Sequence, residues 1–306
     1  MAETEAARVT VPPAGAISPA WKRIASSIVL IPVFVWVTTG APAWVFQLLV
    51  VAASAVACRE LARMFERTGR PIATWLTVGV GAALTASFAT SLYTGLGING
   101  HAVRWMPTPE LALLVGVGLI CSAPLWSSGR PLVESTANTL FGAIYIGWLL
   151  GYAIWLQGRA DGPQLVLFLV GVTWAGESAA YLVGSSVGRR RLAPVLSPGK
   201  TVEGAIGGVL GGTICGLVFK AIFDFFWPEL SAIMGWGLAI GFGLVLSVAA
   251  IVGDLIESLL KRDAQVKDAG AMLPGMGGIL DRIDSPLLAI PVMYYMMLFT
   301  AFLRLE

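Results

Sequence analysis

The chain has 306 residues, of which 57% are hydrophobic and 12% charged, with a net charge of +2 and a mean hydropathy of +0.79. A composition this apolar, with 36 glycines, excludes an ordinary soluble domain and points to a protein dissolved in lipid. No nucleic-acid partner is expected.

The first stretch, MAETEAARVTVPPAGAISPA, mixes charge with Pro, Gly and Ala, and residues 1–21 read as a disordered arm. The apolar run that follows is span-length and lacks a small-residue cleavage site, so no cleavable signal is expected. Runs of the roughly 20 residues needed to cross a bilayer fall near 24–40, 43–58, 72–95, 110–128, 136–157, 164–186, 204–226, 232–257 and 286–303. Lipid offers no partners to backbone amides, so spans of this length must be helices. The expected fold is an all-α polytopic integral membrane protein with about nine transmembrane helices. Residues 22–306 form one membrane domain, with the N-terminal spans in 22–160 and the chemistry-bearing spans in 161–306.

With a cytoplasmic N-terminus, all of the 20 basic residues except Arg104, Arg159, Lys220 and Arg304 fall on the inner side. That asymmetry fits the positive-inside rule and an odd number of spans. Cys58, Cys121 and Cys215 lie in separate apolar runs without metal-like spacing and read as small buried hydrophobes. The single histidine, His101, falls in an outer loop, and no role is expected of it. In the seventh run Gly204, Gly208 and Gly212 share one helical face, with Gly207 and Gly211 beside it. Small-xxx-small rows of this kind let membrane helices pack closely.

Charge in or beside the spans is the more informative signal. Glu177 lies inside the sixth run, and Asp254 and Glu257 end the eighth. An ionised carboxylate deep in a membrane helix costs about 2.5 to 3.5 kcal/mol on insertion scales, which marks it as a functional candidate. Asp254, Glu257 and Lys261 are spaced to form one helical stripe; an interfacial ion-pair stripe that merely anchors the helix end is the competing reading. The segment from Lys261 to Pro286 then carries four acids, Asp263, Asp268, Asp281 and Asp284, and four bases, Lys261, Arg262, Lys267 and Arg282. Carboxylates can share divalent cations while neighbouring bases hold phosphate oxygens, which suits phosphoryl chemistry. Asp281 and Asp284 are three apart, so a helical turn would present both carboxylates to one side; the alternative is that Pro286, which disfavours helix at Ser285, marks the start of the last span. The PGMGG run can turn backbone amides toward an anion.

A second segment, GSSVGRRRLAPVLSPGKTVEG, contains a GKT triplet at Gly199–Thr201. A phosphate-binding P-loop is excluded, because Pro194 stands where its first glycine is required and no strand is expected there. Arg189, Arg190 and Arg191 read as positive-inside and lipid-head contacts. Ser197 and Lys200 are the better substrate contacts.

GDLIESLLKRDAQVKDAGAMLPGMGGILDRIDSP closely resembles the signature of the CDP-diacylglycerol synthases, or phosphatidate cytidylyltransferases: S-x-x-K-R-x-x-x-x-K-D-x-G followed by a turn and G-G-x-x-D-R-x-D. The matching positions are Ser258, Lys261, Arg262, Lys267, Asp268, Gly270, Gly277, Gly278, Asp281, Arg282 and Asp284. LSPGKTVEG is similar to the family's S-P-K-K-T-x-E-G. Three positions depart: Met276 stands where the family often has histidine, Gly199 where it has a first lysine, and Glu177 where W-x-x-D-x-x-A-Y has aspartate.

The resemblance implies a Mg²⁺-dependent reaction of CTP with phosphatidate to CDP-diacylglycerol and pyrophosphate, with a second cation left open. It implies catalytic roles for Asp254, Asp281, Lys261 and Arg282. Asp254, Asp281, Asp284 and Asp268 would hold metal. Ser197, Lys200, Thr201, Ser258, Arg262, Lys267, Gly277 and Gly278 would meet substrate, with Glu177 and Glu257 unassigned. The bilayer is a further partner, a homodimer is compatible with this reading, and the expected location is a bacterial inner membrane with the site cytoplasmic. The rivals are a transporter, which predicts midplane charges and an internal repeat, a family member without catalysis, and the CDP-alcohol phosphotransferases, whose D-G-x-x-A-R pattern is absent.

Overall fold

The computed structural model describes residues 19–93, 108–126, 132–228, 234–270, 272 and 277–302. Most of the expected N-terminal arm, His101 and Met276 lie outside these residues. In chain order the elements are α1 (Pro19–Thr39), α2 (Ala43–Arg67), α3 (Thr74–Tyr93), α4 (Pro109–Ser122) with a 3₁₀ turn at Ala123–Trp126, α5 (Leu132–Gln157) and α6 (Gly162–Val187). A hairpin of β1 (Arg191–Ala193) and β2 (Ser197–Thr201) follows, then α7 (Val202–Phe226), α8 (Trp236–Asp263) and α9 (Leu280–Phe302). Each of the nine expected apolar runs falls on one of these helices. Among the described residues, seven helices, α2, α3 and α5 to α9, are long and apolar enough to cross a membrane, while Leu30–Thr39 and Pro109–Leu125 form shorter apolar helices.

The sequence expectations need four corrections. Residues 19–21, expected in the arm, belong to α1, because Pro19 is well suited to the first position of a helix. A strand pair does occur in the loop between α6 and α7: Arg191 pairs with Thr201 and Ala193 with Ser197, antiparallel. Glu203 supports this hairpin by accepting hydrogen bonds from the backbone amides of Arg189 (2.9 Å) and Arg190 (3.1 Å). The last span starts at Leu280 and carries Pro286 and Pro291 inside it, so Pro286 does not mark its start; the helix tolerates the lost amides because its first turn is held by side chains from outside. Finally, only Cys58 is buried; Cys121 is exposed and Cys215 intermediate, because α4 and α7 each pack one face and leave the other toward lipid.

The glycine rows pack as their spacing predicts. Gly204, Gly208 and Gly212 are buried on α7 against α6. A Cβ at Gly208 would stand 3.0 Å from the carbonyl oxygen of Gly176 and from Cβ of Ala180, and one at Gly211 only 2.3 Å from Cβ of Ala179. Close approach of these two helices sets the width of the crevice beside them. The core behind it is aromatic and aliphatic: Phe168 on α6, Phe223 on α7 and Phe242 on α8 are each at most 1% exposed.

The turn after α2 is tied to the end of α8 by a bidentate ion pair between Arg70 and Asp263, one arm of which measures 2.6 Å; the carboxylate raises the guanidinium pKa. The α2 C-terminus, the hairpin, the α7 N-terminus, the α8 C-terminus and the α9 N-terminus therefore gather at one end of the bundle.

Overpacking a tight interface costs about 1 to 3 kcal/mol. Gly211→Leu should accordingly lower the melting temperature of the detergent-solubilised protein, read by a thermal-shift assay, while Gly237→Leu, at a position with open space around it, should leave it unchanged.

Candidate active site

A cavity of about 670 Å³ lies at this end between α6, α7, α8, α9 and the hairpin. From α6 it takes Thr173, Gly176, Glu177, Ala180, Tyr181 and Gly184, recurring every three or four residues as one helical face must. The hairpin contributes Ser197, Gly199, Lys200 and Thr201; α8 contributes Ser247, Ala250 and Asp254; α9 contributes Asp281, Arg282, Asp284 and Ser285. The wall is charged near the hairpin, and along α6 and α8 small residues such as Gly176, Ala180 and Ala250 alternate with the hydroxyls of Thr173 and Ser247.

The central group is acidic. Asp254 and Glu257, one turn apart on α8, and Asp284 from α9 each offer a carboxylate oxygen within 4.8 Å of the others. The two helices come this close because Gly253 has no side chain: a Cβ there would stand 2.5 Å from the carbonyl oxygen of Asp284. Three carboxylates at that spacing repel unless cations sit among them. Lys200 supplies one, its Nζ 2.5 Å from Asp254 and 3.5 Å from the Ser258 hydroxyl. Lys261 supplies another, pairing with Glu257 one turn back on α8 and with Asp281 at 3.0 Å.

The acids fall into two sets. Asp281 has both oxygens engaged: Oδ1 accepts from Lys261 and from the Ala269 amide (3.1 Å), and Oδ2 from the amides of Ala269 (3.0 Å) and Gly278 (2.8 Å). It lines the cavity but is bound into the loop before α9. Glu257 is different: its side chain is fully buried, and among the described residues neither oxygen has a hydrogen-bond donor beyond its contact with the Lys261 ammonium. The structure thus groups Asp254, Glu257 and Asp284 instead of the expected Asp254, Asp281, Asp284 and Asp268. Asp268 and Lys267 are exposed and stand outside the cavity wall.

This donor set could hold a hard divalent cation. Mg²⁺ favours one or two carboxylates completed by water and phosphate oxygens, and with Glu257 committed to Lys261 the pair Asp254 and Asp284 has that number. A buried carboxylate short of donors, such as Glu257, also fits an environment where positive charge is welcome.

Other expected residues take supporting places. Thr201 caps α7, its Oγ1 accepting from the Gly204 amide at 3.0 Å. Arg262 donates through Nε to the Leu196 carbonyl at 3.1 Å and so anchors the hairpin. Ser258, nearly buried, reaches the site through Lys200. Gly277 has φ +82°, and a Cβ there would stand 2.7 Å from Asp281 Oδ2, so it shapes the loop around that carboxylate. Arg282 and Glu177 face the cavity.

Glu60 on α2 escaped the sequence reading. It is 6% exposed, and its carboxylate accepts the amides of Ile279 (3.2 Å) and Leu280 (2.8 Å) at the entry to α9. A signal was available: on a helical wheel Arg59, Arg63 and Arg67 share an outward face, whereas Glu60 falls among Ala57, Leu61 and Met64, all buried.

Comparison with known proteins agrees in kind. A model described as the cytidylyltransferase family matches residues 21–300. A phosphatidate cytidylyltransferase of Staphylococcus aureus (strain COL) is 34% identical over 194 residues, covering 63% of this chain and 71% of the relative. One from Staphylococcus epidermidis (strain ATCC 35984) is 32% identical over 200 residues, 65% of this chain and 74% of the relative. The uncharacterized protein YnbB of Escherichia coli (strain K12) is 35% identical over 246 residues, 72% of this chain and 78% of the relative.

Removing one partner of a buried ion pair costs about 3 to 5 kcal/mol because the other charge is stranded. Lys261→Met should therefore lower the melting temperature sharply. The double variant Glu257→Gln/Lys261→Met should recover part of that loss in the same thermal-shift assay.

Proposed function

Because this chain belongs to the cytidylyltransferase family, we propose that it transfers the CMP unit of CTP to phosphatidate, giving CDP-diacylglycerol and pyrophosphate. It is a nucleotidyltransferase and an integral membrane protein, and the substrate named for its staphylococcal relatives suits a cavity that sets Lys200 and Arg282 beside small residues of α6 and α7. The observation that carries the reading is the meeting of Asp254 and Asp284 with Lys200 and Arg282 around one cavity, with Glu257 buried beside the two acids. We place this site on the cytoplasmic face of a bacterial inner membrane, with a cytoplasmic N-terminus and nine spans in which α1 and α4 complete the count.

In the proposed reaction a phosphatidate oxygen attacks the α-phosphorus of CTP as the bond to the bridging oxygen of the β-phosphate breaks, and pyrophosphate leaves with that electron pair. Lys200 and Arg282 bind and orient phosphate oxygens, which aligns nucleophile and leaving group. Asp254 holds the Lys200 ammonium in place. Asp254 and Asp284 would hold Mg²⁺, and the ion would supply charge neutralisation on the attacking and leaving oxygens. The nucleophile is already anionic near neutral pH, so no general base is needed and Met276 in place of histidine is compatible with turnover. Lys261 and Asp281 act by shaping the site, and Ser197 and Thr201 line the phosphate end. A transporter is the weaker reading, because Glu257 lies toward the end of α8 and Asp281 and Asp284 toward the start of α9, although Glu177 lies near the middle of α6.

Purified protein in detergent, given CTP, phosphatidate and Mg²⁺, should form CDP-diacylglycerol and release pyrophosphate in equal amounts. Asp254→Asn or Asp284→Asn should lower kcat by roughly 100-fold or more, the scale of losing one electrostatic group at a reaction centre. Unchanged turnover in both variants would remove these carboxylates from the reaction.

A further inference from the structure

We infer that Glu60 is a positioning residue: from α2, outside the cavity, it fixes the entry to α9 and thereby the aim of Arg282 and Asp284 into the site. The inference rests on the functional reading above, but its physical basis is separate.

A buried carboxylate among Ala57, Leu61 and Met64, each fully buried, is a poor choice for packing alone, because an apolar side chain would fill that space without a desolvation cost. Its oxygens instead accept two amides, Ile279 and Leu280, at the positive end of the α9 dipole, where negative charge is favourable. The loop closes on the carboxylate from both sides: a Cβ at Gly270 would stand 2.3 Å from Glu60 Oε1, and one at Gly278 2.5 Å from either oxygen. These two glycines exist in a form that leaves room for this group and no more.

The first turn of α9 needs such an outside anchor. Pro286 and Pro291 have no amide hydrogen, so α9 forgoes the two backbone bonds that those amides would donate. The turn carrying Arg282 and Asp284 therefore has one backbone bond fewer to the rest of its own helix. Glu60 holds it at Leu280, and the close approach of Gly253 to the Asp284 carbonyl confines it on the α8 side.

The test is Glu60→Gln in the full-length protein in detergent. Gln keeps the shape but turns one acceptor into a donor facing an amide. Hydrogen exchange of peptides covering 277–285 should quicken roughly tenfold, about the worth of one lost hydrogen bond to a charged group, with peptides from α3 and α6 unchanged. Within the folded fraction kcat should fall by about tenfold, with KM for CTP within about twofold, as expected when an interaction made in the transition state is lost. Glu60→Asp keeps the charge on a shorter arm and should lie between the two; it carries the test if Glu60→Gln does not fold. A merely structural Glu60 would reduce the yield of folded protein and its melting temperature while leaving exchange at 277–285 and kcat per folded molecule at wild-type values, and that result would overturn the inference. If wild-type protein makes no CDP-diacylglycerol, the functional reading fails, and the exchange measurement alone still decides whether Glu60 holds α9.

Discussion

Placing Asp254, Glu257 and Asp284 within 4.8 Å of one another at the edge of a membrane domain sets the problem that the rest of this structure answers. Each carboxylate is repelled by the other two and is partly stripped of water, and burial of isolated charge is among the most expensive things a protein can do. The answer is local cations and donors: Lys200 at Asp254, Lys261 at Glu257 and Asp281, and backbone amides at Asp281. What remains is an acidic site short of positive charge, a property that stability alone would not favour and that a reaction on nucleotide phosphates can use.

The scaffold is arranged around that remainder. The glycine rows of α6 and α7 bring two backbones together, Gly253 lets α8 meet α9, and Glu203 and Thr201 hold the hairpin so that Lys200 reaches across to Asp254. Among the described residues, the N-terminal half supplies no side chain to the cavity wall. It acts from behind, through Glu60 on the entry to α9 and Arg70 on the end of α8.

Much of this was legible in the sequence. The apolar runs located the helices, because lipid leaves the backbone no other choice, and the spacing of Gly204, Gly208 and Gly212 announced a close helix contact, though not that its partner is α6. The stripe of Asp254, Glu257 and Lys261 was visible as a stripe, but whether it anchors or reacts depends on Asp284, which arrives from another helix. Asp281 and Asp284 looked alike, since one turn separates them in sequence; only the fold shows that the first is enclosed by amides of its own loop. Pro286 misled because its effect on Ser285 is a local preference, overridden here by outside contacts on the first turn of α9. Glu60 was missed because its partners are backbone amides some 220 residues along the chain, which no side-chain pattern can reveal.

The account turns on whether Asp254 and Asp284 form a cation site for nucleotide chemistry. Electron paramagnetic resonance of Mn²⁺, titrated into purified protein with and without CTP, measures that directly. The account predicts that wild-type protein binds Mn²⁺ and binds it more tightly with CTP present, and that Asp254→Asn and Asp284→Asn each weaken binding while Asp268→Asn does not. Equal Mn²⁺ binding by wild type and both cavity variants would contradict it.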